Sequence, residues 1–149
     1  MDFALKRLSS GAFDLDLDEN DVKTEEGLDT AVLMSFFSNS RVDEQEGYWG
    51  DFLSDIVDDR LGSTLWSVLR KKNVQDTRLE AASSMESALN WMVDDSVANS
   101  VEVEILNTTV NRVNFEIRIT NFRDDRLTAF SFLWDVHRTQ LLGESNGQA

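Results

Sequence analysis

Cysteine and proline are absent from the 149 residues, and histidine occurs once, at His137. Each gap removes a class of chemistry. Without thiols there is no disulfide framework, no Cys-ligated zinc, no thiol nucleophile and no redox couple. That usage fits a chain made in a reducing cytosol. One histidine excludes a multi-His metal site and leaves a Ser-His-Asp triad a single candidate base. Average proline usage would give about seven residues, so no Pro-rich linker divides this chain. No apolar run approaches the ~18 residues of a membrane span. Lys6 and Arg7 are followed by no apolar stretch of the signal-peptide kind.

Basic residues are also scarce. The formal net charge is −14, and it is unevenly placed: residues 1–60 hold 16 acids against 5 bases, residues 61–149 hold 12 against 9. Such a surface repels phosphate backbones and anionic lipid, so neither nucleic acid nor membrane is expected as a partner. A basic protein would be drawn to the first half. A domain near this length buries about 68–70% of its unfolded surface and folds without staples. The expectation is a single domain over residues 1–142, with 143–149 a disordered tail.

What is present begins with FDLDLDENDVKTE, Phe13–Glu25. Asp14, Asp16, Asp18 and Glu25 have the spacing of an EF-hand loop. An EF-hand loop needs a glycine at its sixth position and a helix on each side, and here the sixth position is Glu19. Phe13, Leu15 and Leu17 alternate with the aspartates instead. That period of two predicts a β-hairpin with its apolar face on a core, turning at Glu19-Asn20-Asp21 and returning at Val22. Phe3 and Leu5 predict a short first strand.

Thr24 followed by Glu25 and Glu26 reads as a helix start. Leu28, Val32, Leu33, Phe36 and Phe37 continue it to about Ser38-Asn39. Residues 39–62 break the pattern with three glycines, dense acids and the pair Tyr48-Trp49, and a short helix is expected over Asp51–Asp58. The segment is long for a connection in a compact domain, and such loops are usually functional. Leu65, Trp66 and Leu69 open a second helix reaching Lys72. Asp76 caps a third, whose apolar stripe is Leu79, Ala82, Met85, Leu89 and Met92. Alternation then returns at Val101–Ile105, Val113–Ile119 and Phe130–Trp134. This predicts a three-stranded antiparallel meander with one buried face. The fold class is α+β: an N-terminal β-hairpin, two to three helices, and the meander with the helices packed on one side. Trp66, Trp91 and Trp134 lie on apolar stripes and are expected in the core. Trp49 stands apart, in an acidic loop flanked by glycine.

Four fragments, FDLDLDENDVKTEEGLDTAVLMSFFSNSR, GYWGD, LGSTLW and ALNWMVDDSVANSVEVEI, resemble in that order the small baseplate wedge protein of Mu-like contractile-tailed phages. That family is similar to the sheath-initiator (W-type) wedge proteins. The resemblance covers roughly residues 2–135. It implies a structural virion protein of the tail baseplate, assembled in the bacterial cytoplasm. The implied partners are the helical bundle of the larger wedge subunits, the sheath protein and in some cases the tube or hub. The family's helix–loop–helix signature falls on Arg41, Gly47, Trp49, Gly50, Asp51, Gly62, Ser63, Leu65 and Trp66. Arg41 stands for the arginine of the wider Glu-Pro-Arg motif, with Asn39 and Ser40 before it and no proline. With Tyr48 added, the candidate interaction residues are Arg41, Tyr48, Trp49, Gly50, Asp51, Gly62 and Trp66.

Two other functions compete. A muramidase-like hydrolase needs one carboxyl with a raised pKa in an apolar pocket and a second about 5–9.5 Å away. None of the acids sits alone in an apolar run: Asp14 and Asp16 alternate outward, and Asp94-Asp95 end a helix. An acidic decoy that mimics nucleic acid is allowed by charge alone. The sequence therefore assigns no catalytic residue, no cofactor, no metal and no small-molecule substrate.

Overall fold

The computed structural model describes residues 2–10, 12–19, 21–25, 27–43, 47–53, 55–57, 60–135 and 138–144. The chain opens with three short antiparallel ladders. Strand β1 (Asp2–Phe3) pairs with β6 (Thr24–Glu25), β2 (Leu5–Arg7) with β3 (Phe13–Leu15), and β4 (Leu17–Asp18) with β5 (Asp21–Val22). The hairpin expected at 13–22 is present, and Glu19 takes the left-handed backbone (φ 48°) its turn requires. Two expectations fail here. Phe13, Leu15 and Leu17 are exposed rather than set on a core. Thr24 does not start a helix, because it pairs with Phe3 in the β1–β6 ladder.

Helix α1 (Asp29–Phe37) begins three residues after that ladder, with Asp29 in its first turn where the helix dipole favours an acid. The Thr30 hydroxyl donates to the Phe3 carbonyl at 2.8 Å and ties the ladders to the helix. From the end of α1 to residue 64 the described residues form no helix beyond a 3-10 turn, Trp49–Phe52. The expected helix over 51–58 is not formed as an α-helix in its described part: Leu53, Ile56 and Val57 are mostly exposed, and a helix this short is marginal without packing. Asp58 and Asp59 lie outside the described residues.

Helix α2 is a single turn, Leu65–Val68, not a helix to Lys72. Leu65 and Val68 are buried, and the chain then bends so that α3 (Gln75–Asp94) can start. Asp76 lies in the first turn of α3, not at its cap; the cap is Val74, without a side-chain bond. The corner is held from the residue before it. Asn73 donates to the carbonyls of Thr109 and Val110 at 3.1 Å and accepts from Arg78 Nε at 2.6 Å. The buried stripe of α3 is Thr77, Ala81, Ser84, Met85, Ala88, Leu89 and Met92, whereas Leu79 is exposed. The small residues in that stripe let the helix approach the sheet closely.

Strands β7 (Ala98–Thr108), β8 (Arg112–Asn121) and β9 (Leu127–Asp135) form the expected meander. A fourth strand, β10 (Arg138–Glu144), extends it, giving the order β10-β9-β8-β7. Gly143 and Glu144 were expected in the tail; they pair with Ser131 and Phe130, since β9 offers a full row of backbone partners. Residues 145–149 lie outside the described residues, as does His137. On one side of the sheet Val113, Phe115, Ile117, Ile119, Phe130, Phe132 and Trp134 join Val32, Leu33, Phe36, Leu65, Met85 and Leu89 in one core. Phe36 meets Phe132 edge-on, with ring centroids 5.9 Å apart. On the other side Arg118 is ringed by Glu104, Glu116 at 2.7 Å and Glu102 at 3.9 Å. Trp134 and, at its margin, Trp91 belong to the core as expected, and the Trp91 indole donates to Ser35 Oγ at 3.0 Å. Trp66 does not lie among the buried core residues.

Candidate protein-interaction site

The irregular segment after α1 is a loop with a closed neck. Ser40 N–H donates to the Ser63 carbonyl at 3.0 Å, and Ser63 N–H donates to the Ser38 carbonyl at 2.9 Å. These bonds make a parallel bridge between Asn39 and Ser63. Ser63 Oγ donates to the Phe36 carbonyl at 2.8 Å and anchors the bridge to the end of α1. Gly62 makes the approach possible: its φ is +116°, and a Cβ there would overlap the Ser38 carbonyl. The neck is then clasped from α2, where Trp66 Nε1 donates to the Ser40 carbonyl at 2.9 Å. Arg70 covers the same indole, its guanidinium 4.9 Å from the ring centre. Trp66 thus positions the loop instead of filling the core, because its polar edge has a backbone partner to reach.

Within the loop, Arg41 lies over the Phe52 ring at 4.9 Å. Gly47, at φ +121°, lets the chain pass Arg41, whose Cβ would be 3.2 Å from an added methyl. The Tyr48 and Trp49 rings lie 5.6 Å apart. Asp51 accepts a bond from Leu61 N–H at 3.2 Å across the loop. Arg41, Tyr48, Asp51, Phe52 and Arg60 line an open cavity of about 470 Å³. So the structure gathers Arg41, Tyr48, Trp49, Gly50 and Asp51 in the loop body, and sets Gly62 and Trp66 at its base.

The loop's apolar residues face outward. Trp49 is 67% exposed, Phe52 72%, Leu53 71%, Ile56 69% and Val57 88%. Sequence reasoning did not single out Leu53, Ile56 and Val57, which fall within the short helix expected over Asp51–Asp58. It also missed the Ser40–Ser63 neck, which carries no period and only Gly-Ser as a signal.

Among the described residues no three His, Asp or Glu side chains are grouped to hold a metal ion. Asp14 and Asp18 sit on strands, and Asp16 pairs with Lys23 at 3.1 Å.

Comparison with known proteins decides the family. The model of the family described as phage protein GP46 matches residues 28–126. The chain belongs to the GP46 family. The Mu-like prophage FluMu protein gp46 of Haemophilus influenzae is 33% identical over 110 residues, covering 74% of this chain and 80% of that protein. The baseplate protein gp46 of Escherichia phage Mu is 30% identical over 105 residues, covering 64% of this chain and 70% of that protein. The Mu-like family expected from the ordered sequence fragments is therefore the one found. No solved structure matches this GP46 chain. The matched span holds α1, the loop and its neck, α2, α3, β7 and β8.

Proposed function

We propose that this GP46 chain is a structural component of a contractile phage-tail baseplate and works through protein contacts without catalysis. The observation that carries the reading is the necked loop: five large apolar side chains are exposed on a loop whose base is closed by hydrogen bonds, in a GP46 chain. A relative named as the baseplate protein of phage Mu supports the setting. The loop would dock on the larger wedge subunits, with Trp49 as anchor and Asp51 and its acidic neighbours opposite basic residues.

The sheet supplies a second part of the proposal, as the sheath-initiator resemblance implies. A sheath strand would add to an edge of the sheet. β9 is interior, so the candidates are β7 and β10. On β7 the Val103 N–H already donates to Glu86 Oε1 at 3.2 Å. We therefore place the incoming strand on β10.

Immunogold labelling of purified tails with an antibody to this chain tests the setting; label away from the baseplate end overturns it. Hydrogen exchange on binding the sheath protein tests the edge, where slowed exchange in 138–144 is expected. A cleared zone on a peptidoglycan zymogram would refute the non-catalytic reading.

A further inference from the structure

The N-terminal ladders carry a second apolar surface, separate from the loop, that the core covers only in part. Leu5 lies opposite Leu15 and Arg7 opposite Phe13, so each pair shares one side of its ladder, with Lys6 and Asp14 on the other. Leu17 lies opposite Val22, with Asp18 and Asp21 on the reverse. The three ladders meet at a point. Ala4 N–H donates to the Lys23 carbonyl, Asp16 N–H to the Ala4 carbonyl and Lys23 N–H to the Asp16 carbonyl, at 2.8–2.9 Å. Leu5 packs onto the core. Beyond it Phe3 is 60% exposed, Phe13 37%, Leu15 41% and Leu17 59%. Single exposed apolar residues are ordinary on a protein surface. Four within one small β unit mark an interaction surface.

Charge selects the occupant. Residues 2–25 hold seven acids against three bases, and one of those bases, Lys23, is already paired with Asp16. A second copy of the chain would bring acid against acid, and anionic lipid would be repelled. We propose that this surface docks on a different protein of the baseplate, one whose apolar patch is ringed by lysine or arginine. It is a contact separate from the loop, so the chain would bridge two neighbours. The family match begins at residue 28, after the segment that carries it. The proposal rests on the baseplate reading above.

The test measures binding of the full-length chain to the purified baseplate proteins encoded alongside it, by biolayer interferometry at low and high salt. Sedimentation velocity of the chain alone accompanies it. Leu15→Ser/Leu17→Ser should weaken binding by about tenfold or more. Asp18→Lys removes a like-charge cross-strand pair with Asp21 and so leaves the fold safe; it should weaken binding about threefold. Wild-type binding should fall as salt rises, and the chain alone should sediment as a monomer. Unchanged binding by both variants overturns this docking surface while leaving the loop reading intact. Salt-independent binding overturns the basic partner. A wild-type dimer abolished by Leu15→Ser/Leu17→Ser makes a second copy the occupant and overturns the proposal. A wild-type chain that binds none of the baseplate proteins sinks the baseplate reading itself, and this occupant with it.

Discussion

Two β regions of this protein are written in the same alternating code and meet opposite fates. In the C-terminal sheet Phe115, Phe130 and Phe132 are fully buried. In the N-terminal ladders Phe3, Phe13, Leu15 and Leu17 keep 37–60% of their surface in contact with solvent. The difference lies in what covers them. The sheet has helices packed on its apolar side, whereas of the ladders' apolar residues only Leu5 packs against that core, and the Thr30–Phe3 bond ties them to α1. Burying one such side chain stabilises a fold by about 1.5–3 kcal/mol. The sheet collects that within the monomer. For the ladders and the loop the same free energy is available only to a partner. Period two states that a strand has two unlike sides; it does not state which molecule covers the apolar one.

The comparison is broken most directly in the core. Phe132 touches Phe36 edge-on at 5.9 Å and Phe115 at 6.3 Å, and it is fully buried. Phe132→Ala should cost about 3–5 kcal/mol in urea unfolding, through lost transfer energy and the cavity left behind. Phe13→Ala, the matching change in the ladders, should cost under about 1 kcal/mol. Equal losses would mean the ladders are core after all. The neck of the loop is next in size. Gly62→Ala forces a side chain into the φ +116° region and against the Ser38 carbonyl, at an expected cost of about 1–3 kcal/mol. A thermal midpoint equal to wild type would show that the neck does not need that approach. Smaller still is Trp66→Phe. It keeps an aromatic ring beneath Arg70 but removes the indole N–H donated to Ser40 together with part of the ring. The expected loss is about 1 kcal/mol, and hydrogen exchange at the Ser40 and Ser63 amides should rise. A loss of about 3 kcal/mol or more would return Trp66 to the core.

Much of the fold was legible because its signals were periodic. Val101–Ile105, Val113–Ile119 and Phe130–Trp134 each alternate cleanly, and α3 holds most of its apolar residues on one side. What was missed lacked a period or was decided at long range. The stretch Arg138–Glu144, RTQLLGE, shows no alternation; it becomes a strand because β9 presents an unpaired edge. Thr24 carries a good local signal for a helix start, and pairing with Phe3 overrides it. Leu79 and Leu53 sit in helical phase but face solvent, because phase alone does not fix where the neighbouring elements lie. At the candidate site, Trp49 stood out through its glycines and its lack of apolar neighbours, and it is exposed. Trp66 was placed in the core from its neighbours Leu65 and Leu69. Nothing local tells that its N–H reaches Ser40, 26 residues earlier, because that contact exists only once Gly62 has brought the neck together.

Trp49→Ala should have the smallest effect on the isolated chain and is the sharpest test of the loop. At 67% exposure, with the Tyr48 ring beside it, Trp49 has little packing to lose. Its removal should move the unfolding free energy by no more than about 0.5 kcal/mol, the range of ordinary surface substitutions. The proposed contact predicts the reverse in the assembly. A tryptophan that enters a desolvated pocket is the kind of residue that dominates an interface, so association with the larger wedge subunits should weaken by about 2 kcal/mol or more. Gly62→Ala supplies the internal control. It leaves Trp49 in place but disturbs the neck, so it should weaken binding only as far as it loosens the loop. A Trp49→Ala chain that folds normally and binds the wedge subunits as tightly as wild type would remove the loop from the interface. A Trp49→Ala chain that loses as much stability as Phe132→Ala would mean that the indole is held inside the monomer, and the contrast between covered and uncovered apolar surface would then fail at the loop.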